Sequence, residues 1–151
     1  MKILKFALLF MGIISVADAA NITIFYSPTC PHCHHARDFI RNTLIYEYND
    51  LVVDEVNATL QENGQEFVDA LNKCKYTSGG VPVMVIGDKC FQGYGEMMND
   101  DIRNAVEIDL TEEQKNSANE NRNAMQQDRD GFVSQHQDRQ NAVTEKGAKK
   151  N

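Results

Sequence analysis

Cysteines at positions 30, 33, 74 and 90 are the residues of this 151-residue chain best suited to chemistry, and two of them stand in the run Cys30-Pro31-His32-Cys33. Exchange of disulfides requires a thiolate that can reach another molecule's sulfur, and a second thiol near enough to resolve the mixed disulfide. A pair spaced in this way meets both needs where it opens a helix. Cys30 would then lie at the helix N-terminus, where unpaired N–H groups and the positive end of the helix dipole favour an anion. Its pKa is expected well below the free-thiol value of about 8.5. Cys33, one turn later on the apolar side, is expected to be shielded and to act as the resolving thiol. A protonated His32 would add positive charge beside the Cys30 thiolate, stabilise the reduced state and make the disulfide more oxidising. Pro31 removes a backbone donor and stiffens the turn, so Pro31 and His32 are expected to tune the potential.

Two other uses of these residues compete. A C-x-x-C bridge closes so short a loop that it constrains the unfolded chain little and makes a poor staple. A copper or zinc module is the stronger alternative, because Cys30, Cys33, His34 and His35 place four soft or borderline ligands within six residues. Structural zinc sites usually draw their second ligand pair from another segment, however, and adjacent histidines on one helix point in different directions. The residues therefore favour thiol chemistry with no metal bound, and place His34 and His35 on the surface.

The elements that must position the pair follow from the hydrophobic pattern. Asn21 to Tyr26 alternates polar and apolar residues with β-branched and aromatic character, which predicts a strand ended by Ser27-Pro28-Thr29. From Pro31 the apolar positions Cys33, Ala36, Phe39, Ile40, Leu44 and Tyr48 recur at spacings of three and four, which predicts an amphipathic helix ended by Asn49-Asp50. Leu51 to Val56 reads as a second strand. A second helix follows, carrying Phe67, Leu71 and Cys74 on one face, with Thr59 or Asn63 as its cap and Gly64 favouring the later start. After Gly79-Gly80 and Val81-Pro82, the runs Val83 to Ile86 and Lys89 to Gln92 flank Gly87-Asp88 as a hairpin, and a last helix spans about Glu96 to Val106. The βαβ unit makes two strands parallel and the hairpin adds antiparallel ones, with helices on both faces.

Residues 1–19 have a basic start (Lys2, Lys5), an apolar run from Phe6 to Val16 and the small-residue site Ala17-Asp18-Ala19. These are the three parts of a secretory signal peptide, with cleavage expected after Ala19. The apolar run falls short of the roughly 18 residues that span a bilayer, so no stable membrane insertion is expected after cleavage. The segment carries Lys2, Lys5 and Asp18, so its removal makes the formal charge of −7 one unit more negative. That acidity argues against nucleic acid as a partner, since phosphates need a basic face. In an exported chain an even cysteine count allows Cys74 and Cys90 to form a structural disulfide, and two buried free thiols are the alternative. Periplasm is the expected compartment, or the exterior where the host is not Gram-negative. From Asp109 to the end, Asn, Gln and mixed charge replace large apolar residues. Residues 109–151 are therefore expected to be a disordered or partly helical tail beyond one domain of residues 20–108.

These residues resemble the thioredoxin superfamily, and most closely its small glutaredoxin-like members. The matching stretches are Phe25 to Cys33, Ala36-Arg37, Gly80 to Asp88 and Gly93-Tyr94-Gly95. The resemblance implies a thioredoxin-like α/β fold of glutaredoxin size, β-α-β-α-β-β-α, with a mixed four-stranded sheet. It implies an exported thiol–disulfide oxidoreductase working through Cys30 and Cys33, with no metal or organic cofactor and with glutathione as a candidate co-substrate. The implied partners are protein thiols and disulfides and a redox partner protein. It also implies a cis bond before Pro82, with Val81 and Pro82 docking substrate by strand addition. The dipeptide Pro31-His32 is similar to that of periplasmic dithiol oxidases of the DsbA type. Those oxidases carry a large helical insertion, whereas residues 57–80 leave room for one helix. Where they and thioredoxins keep a buried acid, six residues before the first cysteine, this chain has Ile24. Where glutaredoxins place a lysine that grips glutathione, it has Pro28 and Thr29, with Arg37 as a candidate substitute.

Overall fold

The computed structural model describes residues 20–147, so the leader expected over residues 1–19 lies outside the described residues. Strand β1 (Asn21–Tyr26) runs through the middle of the sheet, as its apolar character on both faces requires. It pairs in parallel with β2 (Val52–Asn57) and antiparallel with β3 (Val83–Ile86), so that Ile24 stands opposite Glu55 on one side and Met84 on the other. A parallel neighbour needs a crossover connection, and the helix that opens at Pro31 supplies it. That helix consists of α1 (Pro31–Phe39), a π-helical stretch (Ile40–Leu44) and a last turn, α2 (Ile45–Glu47). Strand β4 (Lys89–Gln92) closes the hairpin with β3.

Both faces of the sheet are covered. Ile22, Ile24, Val53, Met84 and Ile86 pack with Ala36, Phe39 and Ile40 of the first helix and with Ile102, Ala105 and Val106 of α4 (Asn99–Glu107). Phe25, Val56 and Val83 pack with Phe67, Ala70 and Leu71 of α3 (Gly64–Cys74) on the other face. Asn63 stands before α3 without capping it by a side-chain hydrogen bond, and its amide nitrogen donates to the Asn57 carbonyl at 2.9 Å. This mixed α/β architecture is consistent with a thioredoxin-like fold.

One expectation is corrected. The sheet has five strands in the order β4-β3-β1-β2-β5, because β5 (Val143–Lys146) lies parallel to β2. The segment after residue 109, expected to be disordered or partly helical, forms α5 (Glu112–Gln127), α6 (Arg129–Gln135) and a 3-10 stretch (Gln137–Ala142) before β5. A capping box between Thr111 and Gln114 starts α5. Composition is a poor guide here because the segment's polar groups replace water inside the fold. Arg139 donates to the carbonyls of Ile45, Tyr48 and Leu51 at 2.9–3.0 Å, tying the segment to the end of α2 and the turn beyond it. Arg122 joins Arg103 on the buried Glu47 carboxylate. Ala118 is buried in the main core, and Met125, Phe132 and Val133 pack against it.

Candidate active site

Cys30 is the N-cap of α1, and Pro31 takes the first helical position, where its missing N–H would have had no partner. The Cys30 sulfur accepts from the backbone N–H of Cys33 at 3.2 Å, in the place a capping oxygen would occupy. A thiolate there would receive that amide and the positive end of the helix dipole. Cys30 and Cys33 are joined as a disulfide with Cα atoms 5.2 Å apart. Cys30 is half-buried, whereas Cys33 is 1 % exposed, so attack from outside falls on Cys30. The turn before it is fixed twice: Cys30 N–H donates to the Ser27 carbonyl, and His34 Nε2–H donates to the Pro28 carbonyl at 2.8 Å.

Across from the pair lies the turn ending in Val81-Pro82, whose peptide bond is cis. The Val81 carbonyl oxygen is 3.6 Å from the Cys30 sulfur, and Pro82 is buried. His32 and His35 lie exposed on the first helix and face a groove of about 480 Å³ walled by Phe39, Tyr94 and Glu96. Among the described residues, no three His, Cys, Asp or Glu side chains converge as a metal would require. His34 is turned instead to the Pro28 carbonyl.

Farther along the same helix, Arg37 and Arg41 reach a polar cluster on the sheet that sequence reasoning missed. Glu55, fully buried on β2, accepts from Arg37 at 2.8 Å and from Arg41 at 2.7 Å. Glu145 of β5 accepts from Arg37 and from the Tyr26 hydroxyl, and the Arg37 guanidinium lies 4.0 Å above the Tyr26 ring. Burial alone would raise the Glu55 carboxyl, but the hydrogen bonds and charges of Arg41 and Arg37 outweigh it and hold it below its ordinary value. Burial, reinforced by the bond to Glu145, pushes the Tyr26 phenol up to about 12. Arg37 is therefore engaged inside the fold, by Glu55 and Glu145. The signal that could have found this cluster is Glu55 itself, an acid within a run of β-branched strand residues.

The structure thus brings Cys30, Pro31, His32, Cys33, Val81 and Pro82 to one place. Cys74 and Cys90 form a second disulfide outside the pair's immediate surroundings, with Cα atoms 5.8 Å apart, tying the end of α3 to β4.

No protein-family model matches the sequence, and no curated protein matches it. Among solved structures, a glutaredoxin from Archaeoglobus fulgidus is similar at 20% identity, over 58% of this chain and 86% of that chain, with a TM-score of 0.43.

Proposed function

We propose that this chain is an exported thiol–disulfide oxidoreductase, active in the periplasm or outside the cell, whose working couple is Cys30 and Cys33. The observation that carries the reading is the Cys30–Cys33 disulfide at the start of α1, with the Val81 carbonyl against its outer sulfur. In the oxidising direction, a substrate thiolate attacks the Cys30 sulfur, the Cys30–Cys33 bond breaks and Cys33 leaves as a thiolate that takes up a proton. A second substrate thiolate then attacks the substrate sulfur of the mixed disulfide. Cys30 departs as a thiolate, the substrate has lost two electrons, and the chain holds them as a dithiol. The reverse sequence reduces a disulfide.

The Cys33 amide and the helix N-terminus favour Cys30 as the leaving thiolate, and burial reserves Cys33 for the internal step. Val81 and Pro82 would dock the backbone of a substrate polypeptide beside Cys30. Protein thiols and disulfides and a redox partner protein are the proposed partners, with glutathione as a candidate small co-substrate and no metal or organic cofactor. Replacing Cys30 by serine should abolish exchange with a model dithiol peptide, and the Cys33→Ser chain, whose Cys30 thiolate can attack a peptide disulfide but has no neighbour to resolve the product, should accumulate a mixed disulfide on Cys30 when given the oxidised peptide. Full exchange by the Cys30→Ser chain would sink the reading.

A further inference from the structure

The carbonyls leading into the Val81-Pro82 turn are held by a side chain with no part in the exchange steps. The Gln92 amide nitrogen, Nε2, donates to the Ser78 carbonyl at 2.9 Å and to the Gly80 carbonyl at 3.0 Å. The backbone of the same strand adds a third tie, because Gly93 N–H donates to the Pro82 carbonyl at 2.8 Å. Gln92 itself stands opposite Val83 in the β3–β4 ladder, so its backbone is fixed next to the turn it reaches over. Two residues before Gln92, Cys90 carries the disulfide to Cys74 at the far end of the same connection.

This connection needs outside support. Ser78-Gly79-Gly80 contains two consecutive glycines, which leave the chain freer than any other residue would. Neither glycine is pinned by close packing: a Cβ at Gly79 would meet only the Phe67 ring at 3.7 Å, and one at Gly80 only Gln92 itself at 3.6 Å. Ser78, Gly79 and Gly80 are all exposed. The direction of the Val81 carbonyl, 3.6 Å from the Cys30 sulfur, therefore depends on what holds the preceding carbonyls. Both amide hydrogens of Gln92 are used for that purpose, and no shorter or acceptor-only side chain could replace them.

We propose that Gln92 is a positioning residue for substrate: it sets the Gly80–Val81 backbone against Cys30 so that a polypeptide can dock there, and it leaves the sulfur chemistry untouched. The inference rests on the proposed exchange function and adds to it the side chain on which polypeptide recognition depends. A small dithiol such as dithiothreitol needs no docking strand, so its reaction with the Cys30–Cys33 disulfide should not sense Gln92.

The test compares full-length chains carrying Gln92→Glu, Gln92→Leu and Gln92→Lys with the unaltered chain, using a short dithiol peptide and dithiothreitol as alternative reductants of the disulfide. Glu keeps the shape of Gln but turns an oxygen toward two carbonyls, Leu removes both donors, and Lys restores donors at similar reach. Gln92→Glu and Gln92→Leu should raise KM for the peptide up to about thirtyfold, as expected for the loss of two hydrogen bonds worth roughly 1 kcal/mol each. The maximal rate, the dithiothreitol rate and the equilibrium constant of the Cys30–Cys33 couple against dithiothreitol should stay within about twofold of the unaltered chain, a change under 0.5 kcal/mol. Gln92→Lys should recover most of the peptide KM. An unchanged peptide KM in both donorless variants overturns the inference, and so does an equal loss toward peptide and dithiothreitol, even with the melting temperature preserved. Failure of the unaltered chain to react with either dithiol overturns the exchange function itself, and the two failures are thereby told apart.

Discussion

Glu55 and Glu145 stand directly opposite each other on the parallel strands β2 and β5, and their like charges are held together by Arg37 and Arg41 from the first helix. The two carboxylates are not equivalent. Glu55 is fully buried, whereas the Glu145 side chain is about one-third exposed, at 32 %. Removing one partner of a buried ion pair leaves the other uncompensated, at a cost of about 3–5 kcal/mol, while a partly exposed pair is worth about 1 kcal/mol or less. Glu55→Gln is therefore expected to lower the urea midpoint much more than Glu145→Gln. Equal losses would show that burial does not separate the two roles. The pH sense is also defined. The folded Glu55 carboxyl lies below its ordinary value, so its contribution is complete above the unfolded pKa of about 4.3 and fades as pH falls through the lower folded value. The stability gap between the unaltered chain and Glu55→Gln should close in acid.

Tyr26 extends the same cluster to the residue four before Cys30. Burial first, and the bond to Glu145 second, raise its phenol to about 12. A raised phenol stabilises the fold below the unfolded pKa of about 10, and the contribution is lost as pH rises from there through the folded value. Burial also raises Tyr48 and Tyr94, so the total phenolate absorbance will not isolate Tyr26. The difference titration between the unaltered chain and Tyr26→Phe will. Its step is expected near 12, and a step near the ordinary tyrosine value would mean that Tyr26 is not sealed by Glu145 and Arg37.

What could be read from the residues divides along physical lines. Period-two and period-three-to-four patterns located β1 and the first helix, because those elements bury apolar side chains, and the turn residues Gly87-Asp88 between two short runs located the β3–β4 hairpin. The C-x-x-C with the later Val81-Pro82 located the two sides of the site. Glu55, Arg37, Arg41 and Glu47 were not legible, since a buried charge is recognised only through its partner, and the partners come from distant strands and helices. The same holds for the segment after residue 109, whose arginines read as solvated and instead satisfy buried groups.

Deleting residues 109–151 is accordingly expected to destroy the fold rather than trim it. The deletion strips Arg122 from Glu47, removes the Arg139 donors from three carbonyls and opens the edge of β2. It also takes Ala118, Met125, Phe132 and Val133 off the main core, and burying a large apolar side chain is worth about 1.5–3 kcal/mol, against the roughly 5–15 kcal/mol that keeps a domain folded. Circular dichroism and urea unfolding of the truncated chain should show a lost or broadened transition. Native-like cooperativity would mean that the segment is an accessory after all.

The Cys74–Cys90 bridge spans 16 residues of chain, and a loop of that size is expected to contribute about 3 kcal/mol, mainly by restricting the unfolded state. Replacing both cysteines by serine should lower stability by roughly 2–4 kcal/mol. Cys30 and Cys33 retain their helix and their partner, so dithiothreitol should still reduce their disulfide in the double variant. Loss of that reaction with the fold intact would place the second bridge in the chemistry.

His32 is the charged-capable residue between the two cysteines, exposed on the second position of the helix that Cys30 caps. A cation there favours the Cys30 thiolate and hence the reduced form, so its removal should make the couple more reducing. For a two-electron couple about 30 mV corresponds to 1.4 kcal/mol, and His32→Ala is expected to lower the potential by at least about that much. The couple can be equilibrated in glutathione buffers and its free thiols counted by alkylation. An unchanged or higher potential in the variant would remove His32 from the tuning of Cys30. The absolute value decides the direction of flow: near about −120 mV the chain is an oxidant of the DsbA type, and at or below about −200 mV it is a reductant supplied with electrons by another protein.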